Sequence, residues 1–248
     1  MKLQNQVAIV TGGGSGIGRA TSIMLAAEGA NIVVFDPRTD GESANTIAAI
    51  EKLGRQARLM QVDVTNDKQV SQAIAQVAKD CGRLDILINN AGTASMVPFK
   101  NLEGLTEEMW DKMFAVNVKG TFFCSRAAGR VMVPQGSGCI VNVSSMAGLV
   151  ATGSSIAYAA TKAAVVSLTK TMAISLAPQV RVNAVAPSFA NTPWNAPRRE
   201  MYPRVAERSQ LKRIAEPEEI AEVIVALVTH ARYVTGQVVG VDGGAYLV

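Results

Sequence analysis

Val7-Ala8-Ile9-Val10-Thr11-Gly12-Gly13-Gly14-Ser15-Gly16-Ile17-Gly18 is the stretch from which the rest of the chain can be read. The first four residues are a short apolar run of the kind a buried strand makes, and a helical pattern runs from about Gly16 to Glu28. Glycines between them permit a tight turn and let backbone approach a ligand closely, while the free N–H groups opening the helix favour negative charge. A glycine-rich turn by itself can be only a turn. Here it sits in the strand-turn-helix setting that anion binding requires. The spacing is TGxxxGxG and not GxGxxG, because Ile17 stands where a third glycine would.

Outward from this turn, short apolar runs alternate with helical patterns. Strands are expected at Asn31–Phe35, Arg58–Val62, Leu84–Ile88, Cys139–Val143, Val180–Val185 and near Val238–Val241. Helices are expected over about Glu42–Leu53, Lys68–Lys79 and Ile156–Leu176. Continuous apolar strands alternating with helices predict an α/β fold, a doubly wound parallel sheet with helices on both faces. With no repeat, low-complexity tract or linker, residues 1–248 are expected to form one domain. The least regular stretch, Pro187 to about Arg213, follows the sixth strand and is expected to be a substrate lid.

Composition narrows the chemistry. The net charge of +4 is scattered, which points away from nucleic acid. Three cysteines, Cys81, Cys124 and Cys139, form no CxxC pair, and His230 is the single histidine. A disulfide framework, a metal site and a Ser-His-Asp hydrolase are therefore not expected. The polar start Met1-Lys2-Leu3-Gln4-Asn5-Gln6 is no signal peptide, and no apolar run is long enough to span a bilayer. A soluble cytoplasmic protein is expected, with no membrane partner.

The second strand ends in Phe35-Asp36, 18 residues after Gly18. A carboxylate there can accept from both hydroxyls of an adenosine ribose and would repel a 2′-phosphate, so Asp36 argues for NAD over NADP. Arg38 offsets part of that repulsion. Alone, Asp36 could merely open the turn before Pro37.

With TGxxxGxG at 11–18, Asp63-Val64, Asn89-Asn90-Ala91-Gly92, Asn117, Ser145 and Tyr158-xxx-Lys162 in this order, the whole chain resembles a short-chain dehydrogenase/reductase. The resemblance implies a Rossmann fold, a nicotinamide cofactor and oxidoreduction of a CH–OH group. It implies a cofactor site of Gly12, Ser15, Gly16, Ile17, Gly18, Asp36, Asp63, Val64, Asn90, Tyr158, Lys162 and Thr192. Asp63 and Val64 would hold the adenine, Asn90 would lie along the adenosine ribose side, and Thr192 would meet the nicotinamide carboxamide. The catalytic residues implied are Asn117, Ser145, Tyr158 and Lys162, with Ser144 a second candidate serine. Pro187-Ser188 departs from the family's usual Pro-Gly, and Thr229-His230-Ala231-Arg232 looks shorter than usual.

Tyr158 and Lys162, four residues apart on a helix, share a face. A tyrosine with a pKa of about 10 is a poor base near neutrality, and a neighbouring ammonium favours its phenolate. Tyr158 is expected to be the general acid/base, Ser145 to hydrogen-bond the substrate oxygen, and Lys162 also to bind the nicotinamide ribose. Asn117, in a helix expected to start near Val116, would by resemblance anchor a water that opens a proton exit. Without the glycine turn the same YxxxK pair would be an ordinary helix face with a solvated lysine.

The substrate is less legible. Met96, Val97, Phe99, Ala147, Leu149, Phe189, Trp194 and Tyr202 are candidate pocket residues, suiting a hydrophobic carbonyl or secondary alcohol. Arg198, Arg199, Arg204, Arg208, Lys212 and Arg213 could meet an anionic acyl carrier but are expected to be a solvated helix face. A 3-oxoacyl thioester reductase and a non-catalytic dinucleotide sensor stay open as alternatives. Apolar helix surfaces after Asn117 and around Tyr158 would, by resemblance, assemble a homotetramer.

Overall fold

The computed structural model describes residues 1–38 and 41–247. Its elements are β1 (Val7–Thr11), α1 (Gly16–Ala27), β2 (Asn31–Asp36), α2 (Gly41–Lys52), β3 (Ala57–Gln61), α3 (Asp67–Cys81) and β4 (Ile86–Asn89). There follow α4 (Glu107–Met113), a π-helical segment (Phe114–Gly120), α5 (Thr121–Gln135), β5 (Gly138–Val143) and α6 (Ile156–Leu176). The chain closes with β6 (Val180–Pro187), α7 (Tyr202–Arg208), α8 (Pro217–Thr229) and β7 (Val238–Val241). The strands pair in parallel in the order β3-β2-β1-β4-β5-β6-β7. This is the doubly wound α/β fold expected.

Alternation along each strand feeds two separate cores. Ala8, Val10, Ile32, Val34, Ile86 and Ile88 pack with Leu25 of α1, Ile50 of α2 and Ile224 of α8. Val7, Ile9, Val33, Phe35 and Leu87 pack on the other face with Val70 and Ile74 of α3, Cys124 and Met132 of α5 and Met172 of α6. Both faces of the sheet are thus covered, which is why the strands read as unbroken apolar runs.

Three boundaries differ from expectation. The helix bearing Asn117 begins at Glu107, not near Val116, because Thr106 caps it by accepting from the Met109 N–H. Asn117 then falls inside a π-helical segment between two α-helical stretches. The stretch after Pro187 is more ordered than its prolines suggest, with a 3₁₀ segment over Ala196–Met201 and then α7. Helix α8 was not anticipated, though Glu216-Pro217 and Glu219 form a full capping box. Arg181 of β6 holds its end, donating to Leu227 O and Val228 O of the last turn and to Ala231 O just beyond it at 3.0–3.1 Å. The departure at 229–232 is therefore braced against β6.

A buried polar ladder ties the sheet to α5 and α6. Asn89 Nδ2 donates to Ser125 Oγ (2.9 Å) and Asn142 Oδ1 (2.8 Å), and Asn142 Nδ2 donates to Thr169 Oγ1 (2.9 Å). Hydrogen bonds this dry are costly to misplace, so they set how α5 and α6 sit over β4 and β5. Among the described residues, no helix is long and apolar enough to cross a membrane.

Helix α1 approaches the turn so closely that a Cβ on Gly18 would lie 2.2 Å from Gly12 O and 2.5 Å from Asn90 Nδ2. Gly18→Ala should therefore destabilise the fold by about 1–3 kcal/mol, because backbone must move. Gly41→Ala, whose Cβ meets nothing within 4 Å, should stay within about 0.5 kcal/mol of the parent. Urea denaturation of the two variants checks this; equal losses would refute it.

Candidate active site

The cofactor end is built by the exits of β1 and β4. Gly12 (φ +61°) and Gly16 (φ +52°) occupy the left-handed region, where a side chain would strain the backbone. Thr11 Oγ1 accepts from Asn90 N and Ala91 N (both 3.0 Å), and Asn90 Nδ2 donates to Thr11 O (3.1 Å) and Gly12 O (3.0 Å). Ser15, at the N-cap of α1, makes no capping bond with its side chain, so the first-turn N–H groups open onto the cleft. A close-approach turn with unsatisfied donors suits a dinucleotide pyrophosphate. Thr192, from the loop after β6, faces Gly16: a Cβ there would lie 3.4 Å from Thr192 Cγ2.

One cleft of about 500 Å³ gathers Gly12, Ser15, Gly16, Ile17, Asn90, Ser145, Tyr158, Lys162 and Thr192. Asp36, Asp63, Val64, Gly18 and Asn117 are not part of this lining. Asp36 is buried at the end of β2, and its Oδ1 accepts from Arg38 N at 3.0 Å with Arg38 Nε at 3.5 Å. Arg38 itself lines the cleft. Asp63 Oδ1 accepts from the Thr65 N–H (2.9 Å) and hydroxyl (2.8 Å), and Val64 packs against Gly120.

The chemistry end combines β5, α6 and the π-helical segment. Ser144 Oγ donates to Lys162 O (2.9 Å), tying β5 to α6. Ser145 Oγ accepts from Ala147 N (3.1 Å) and lies beside Pro187 O (3.4 Å), so its hydroxyl stays at the cleft wall. Ser144 and Ser145 both line the cleft, and the Ser144 hydroxyl is committed to Lys162 O. Ser155 caps α6 by accepting from Tyr158 N (3.2 Å), which fixes the start of the helix carrying Tyr158 and Lys162.

Lys162 Nζ lies 5.7 Å from the centre of the Tyr158 ring and donates to Val143 O at 2.9 Å. Burial pulls its pKa down from 10.5 to about 8. Burial pushes the Tyr158 phenol above its usual 10, while the Ser145 hydroxyl and the charge of Arg198 pull it back. In the cofactor-free protein burial outweighs both.

Asn117 is 1% exposed, and its side chain is fully engaged. Oδ1 accepts from Thr93 N (2.8 Å), and Nδ2 donates to Thr93 O (2.9 Å) and Thr161 Oγ1 (3.0 Å). It locks the loop after β4 to the residue preceding Lys162. The π-helical turn was invisible in the sequence, yet such turns recur at functional sites because they redirect one side chain.

On the substrate side, Ala147, Phe189 and Trp194 line the cleft as expected. Val97 is buried, Phe99 and Leu149 are exposed away from it, and Tyr202 stands behind Phe189 in an edge contact of 5.5 Å. Met96 meets Arg198 instead of the cleft. The basic run divides. Arg198, Arg204 and Arg208 border the cleft; Arg198 is half-buried, departing from the solvated face expected, whereas Arg199, Arg204 and Arg208 are exposed as expected. Lys212 donates to Glu207 O and Arg213 pairs with Glu219. Ser188 lines the floor, its N–H bonded to Val241 O at 3.0 Å. His230 meets Thr229 and Lys2, in no relation to this cleft.

The family model described as enoyl-(acyl carrier protein) reductase matches residues 12–246. A 3-oxoacyl-[acyl-carrier-protein] reductase of Thermotoga maritima is 38% identical, covering 98% of this chain and 99% of its own. A cis-4-hydroxycyclohexanecarboxylate dehydrogenase of Sinomonas cyclohexanicum is 39% identical over 96% of each chain. The structure of an NAD⁺-bound xylitol dehydrogenase superposes with a TM-score of 0.91 at 29% identity, covering 98% of this chain and all of that one. With these matches along nearly its full length, and a glycine turn, serine, tyrosine and lysine gathered in one cleft, the chain belongs to the short-chain dehydrogenase/reductase family of oxidoreductases acting on CH–OH groups.

Proposed function

We propose that the protein interconverts a secondary alcohol and a ketone, with NAD the favoured nicotinamide and Tyr158 the general acid/base. The observation that carries this reading is the convergence of Ser145, Tyr158 and Lys162 on the cleft into which the glycine turn opens. A bound nicotinamide supplies or accepts the hydride. Tyr158 gives a proton to the carbonyl oxygen during reduction and takes it from the hydroxyl during oxidation. The Ser145 hydroxyl donates to that oxygen as negative charge grows on it. Lys162 would hold the nicotinamide ribose of a bound cofactor, and Asn117 is a positioning residue that holds the 93 loop against α6.

At neutral pH the cofactor-free phenol holds its proton, the form that reduction consumes. NAD is favoured because the Asp36 carboxylate stands at the end of β2, where a 2′-phosphate would meet its charge. The NAD⁺-bound xylitol dehydrogenase supports the same choice by likeness. Residues 1–248 act as one catalytic domain, with 187–213 as the substrate-side lid, in a cytoplasmic homotetramer of the kind the resemblance implies. A 3-oxoacyl thioester reductase is the second reading, favoured by the Thermotoga relative. A silent dinucleotide sensor would have no use for the Ser145, Tyr158 and Lys162 constellation.

Tyr158→Phe should lower kcat by roughly 10²–10⁴-fold while leaving NADH binding, read by fluorescence titration, intact. Near-normal turnover by that variant would falsify the mechanism. Asp36→Ala should move the NADP-to-NAD ratio of kcat/KM upward by roughly ten-fold, about 1.4 kcal/mol, and an unchanged ratio counts against the assignment.

Lys162 yields a stability expectation with a defined sign. Its depressed pKa means the folded state bears a penalty for the buried ammonium below pH 8. From about 8 to 10.5 the unfolded chain keeps a proton that the folded one has released, so stability rises with pH across that window. Lys162→Met should therefore be inactive yet more stable at pH 7, by about 1–3 kcal/mol, with the gain vanishing above pH 10.5. Thermal melts from pH 7 to 11 check it; a gain independent of pH would contradict this cause.

A further inference from the structure

No aspartate or glutamate contributes to the cleft lining among the described residues, whereas four arginines and one lysine do. Arg38 lies at the end where β2 and the glycine turn meet, and Lys162 at the chemistry. The other three, Arg198, Arg204 and Arg208, sit on the far wall formed by the 3₁₀ segment and α7. Arg38 has Asp36 at 3.5 Å, and four arginines outside the cleft also sit with carboxylates: Arg58 with Asp80, Arg83 with Asp85, Arg126 with Asp67 and Arg213 with Glu219.

Arg198 differs from all of these. It is half-buried, and neutral groups hold it: Met96 Sδ at 3.3 Å, Trp194 O at 3.4 Å and Asn195 Oδ1. Asn195 is itself fixed by donating to Ala190 O at 2.8 Å. The guanidinium lies 5.3 Å from the centre of the Phe189 ring, an apolar wall of the cleft. Desolvation leads the causes that lower its pKa, and its charge is felt at Tyr158. Glu200, two residues on, acts on it only at a distance and makes no ion pair with it. A partly desolvated guanidinium with a fixed orientation and no ion-pair partner among the described residues is prepared for an anion with planar, two-oxygen geometry.

We propose that the substrate is a small hydroxy or oxo acid, whose carboxylate binds Arg198 while its carbinol or carbonyl meets Ser145 and Tyr158. Arg198 is thereby a specificity-determining residue. This rests on the reading of the cleft as an oxidoreductase site and adds the chemical class of its substrate. An acyl carrier would place its charge at the end of a long flexible arm. That charge would reach the exposed Arg204 and Arg208, not the half-buried Arg198, whose charge is felt at Tyr158. Redox balance is that of the parent reaction, and the carboxylate takes no part in bond making.

The test measures kcat/KM with NAD for a panel of 2-, 3- and 4-hydroxy acids, cyclic and open-chain, each beside its methyl ester. The parent protein, Arg198→Gln and Arg198→Lys are compared, and 3-hydroxyacyl thioesters are run in parallel. The parent should prefer at least one acid over its ester by roughly ten-fold or more. Arg198→Gln should abolish that preference, chiefly through KM, and Arg198→Lys should restore part of it. In Arg198→Gln the Tyr158 limb of the pH profile for the ester should move upward, because a positive charge near the phenol is gone.

Equal loss on acid and ester in Arg198→Gln would overturn the proposal, as would esters or thioesters preferred throughout. Thermal protection by the acid and the ester is measured in parallel in the presence of NADH. If acid protection depends on Arg198 while no substrate turns over, the anion subsite stands and the oxidoreductase reading falls. If neither protection nor turnover depends on Arg198, the proposal falls alone.

Discussion

The site depends on one topological constraint: β1 and β4 are neighbours in the sheet, yet the chain leaves them toward opposite edges. From β1 it runs outward through β2 to β3, and from β4 through β5 and β6 to β7. Where the order reverses, two strand exits diverge and leave a crevice no crossover helix can fill. Thr11 and Asn90, one at each exit, bond across it and hold its width. The glycine turn can approach a ligand because this gap exists. Ser145 and the loop bearing Thr192 border it because β5 and β6 end on the same side.

Polar residues inside the helix-sheet contact make the crevice specific as well as open. The ladder from Ser125 through Asn89 and Asn142 to Thr169 joins two helices to two strands. Apolar packing alone would tolerate α6 sliding along the sheet. Directional bonds do not, so Tyr158 and Lys162 are presented at a fixed depth. Ser144, bonded to Lys162 O, repeats the constraint nearer the chemistry.

Features that depend on local chemistry were readable in the sequence. The glycine turn demands residue types with distinct backbone freedom, and the Tyr158–Lys162 spacing is helical arithmetic. Unbroken apolar strands implied cover on both faces, and the two cores bear this out. What escaped reading depends on registers and directions that side-chain pattern does not encode. The π-helical segment around Asn117 alters backbone pairing without altering apolar spacing. Arg198 and Arg199 are adjacent and alike in sequence, yet only Arg198 lines the cleft, because successive residues of a helical turn face different directions. Candidate wall residues such as Phe99 and Leu149 were judged by apolarity, and their exposure away from the cleft is set by the loops that carry them.

A cleft lined by guanidinium and ammonium groups, with no carboxylate among its described residues, also acts before anything is bound. Low-dielectric walls concentrate its field toward the opening, so negatively charged molecules are drawn in from solution faster than neutral ones of equal size. Small anions in the medium weaken that pull, since screening shortens to about 8 Å at physiological ionic strength. The rate at which this protein meets its ligands is therefore sensitive to salt even where the strength of their final grip is not.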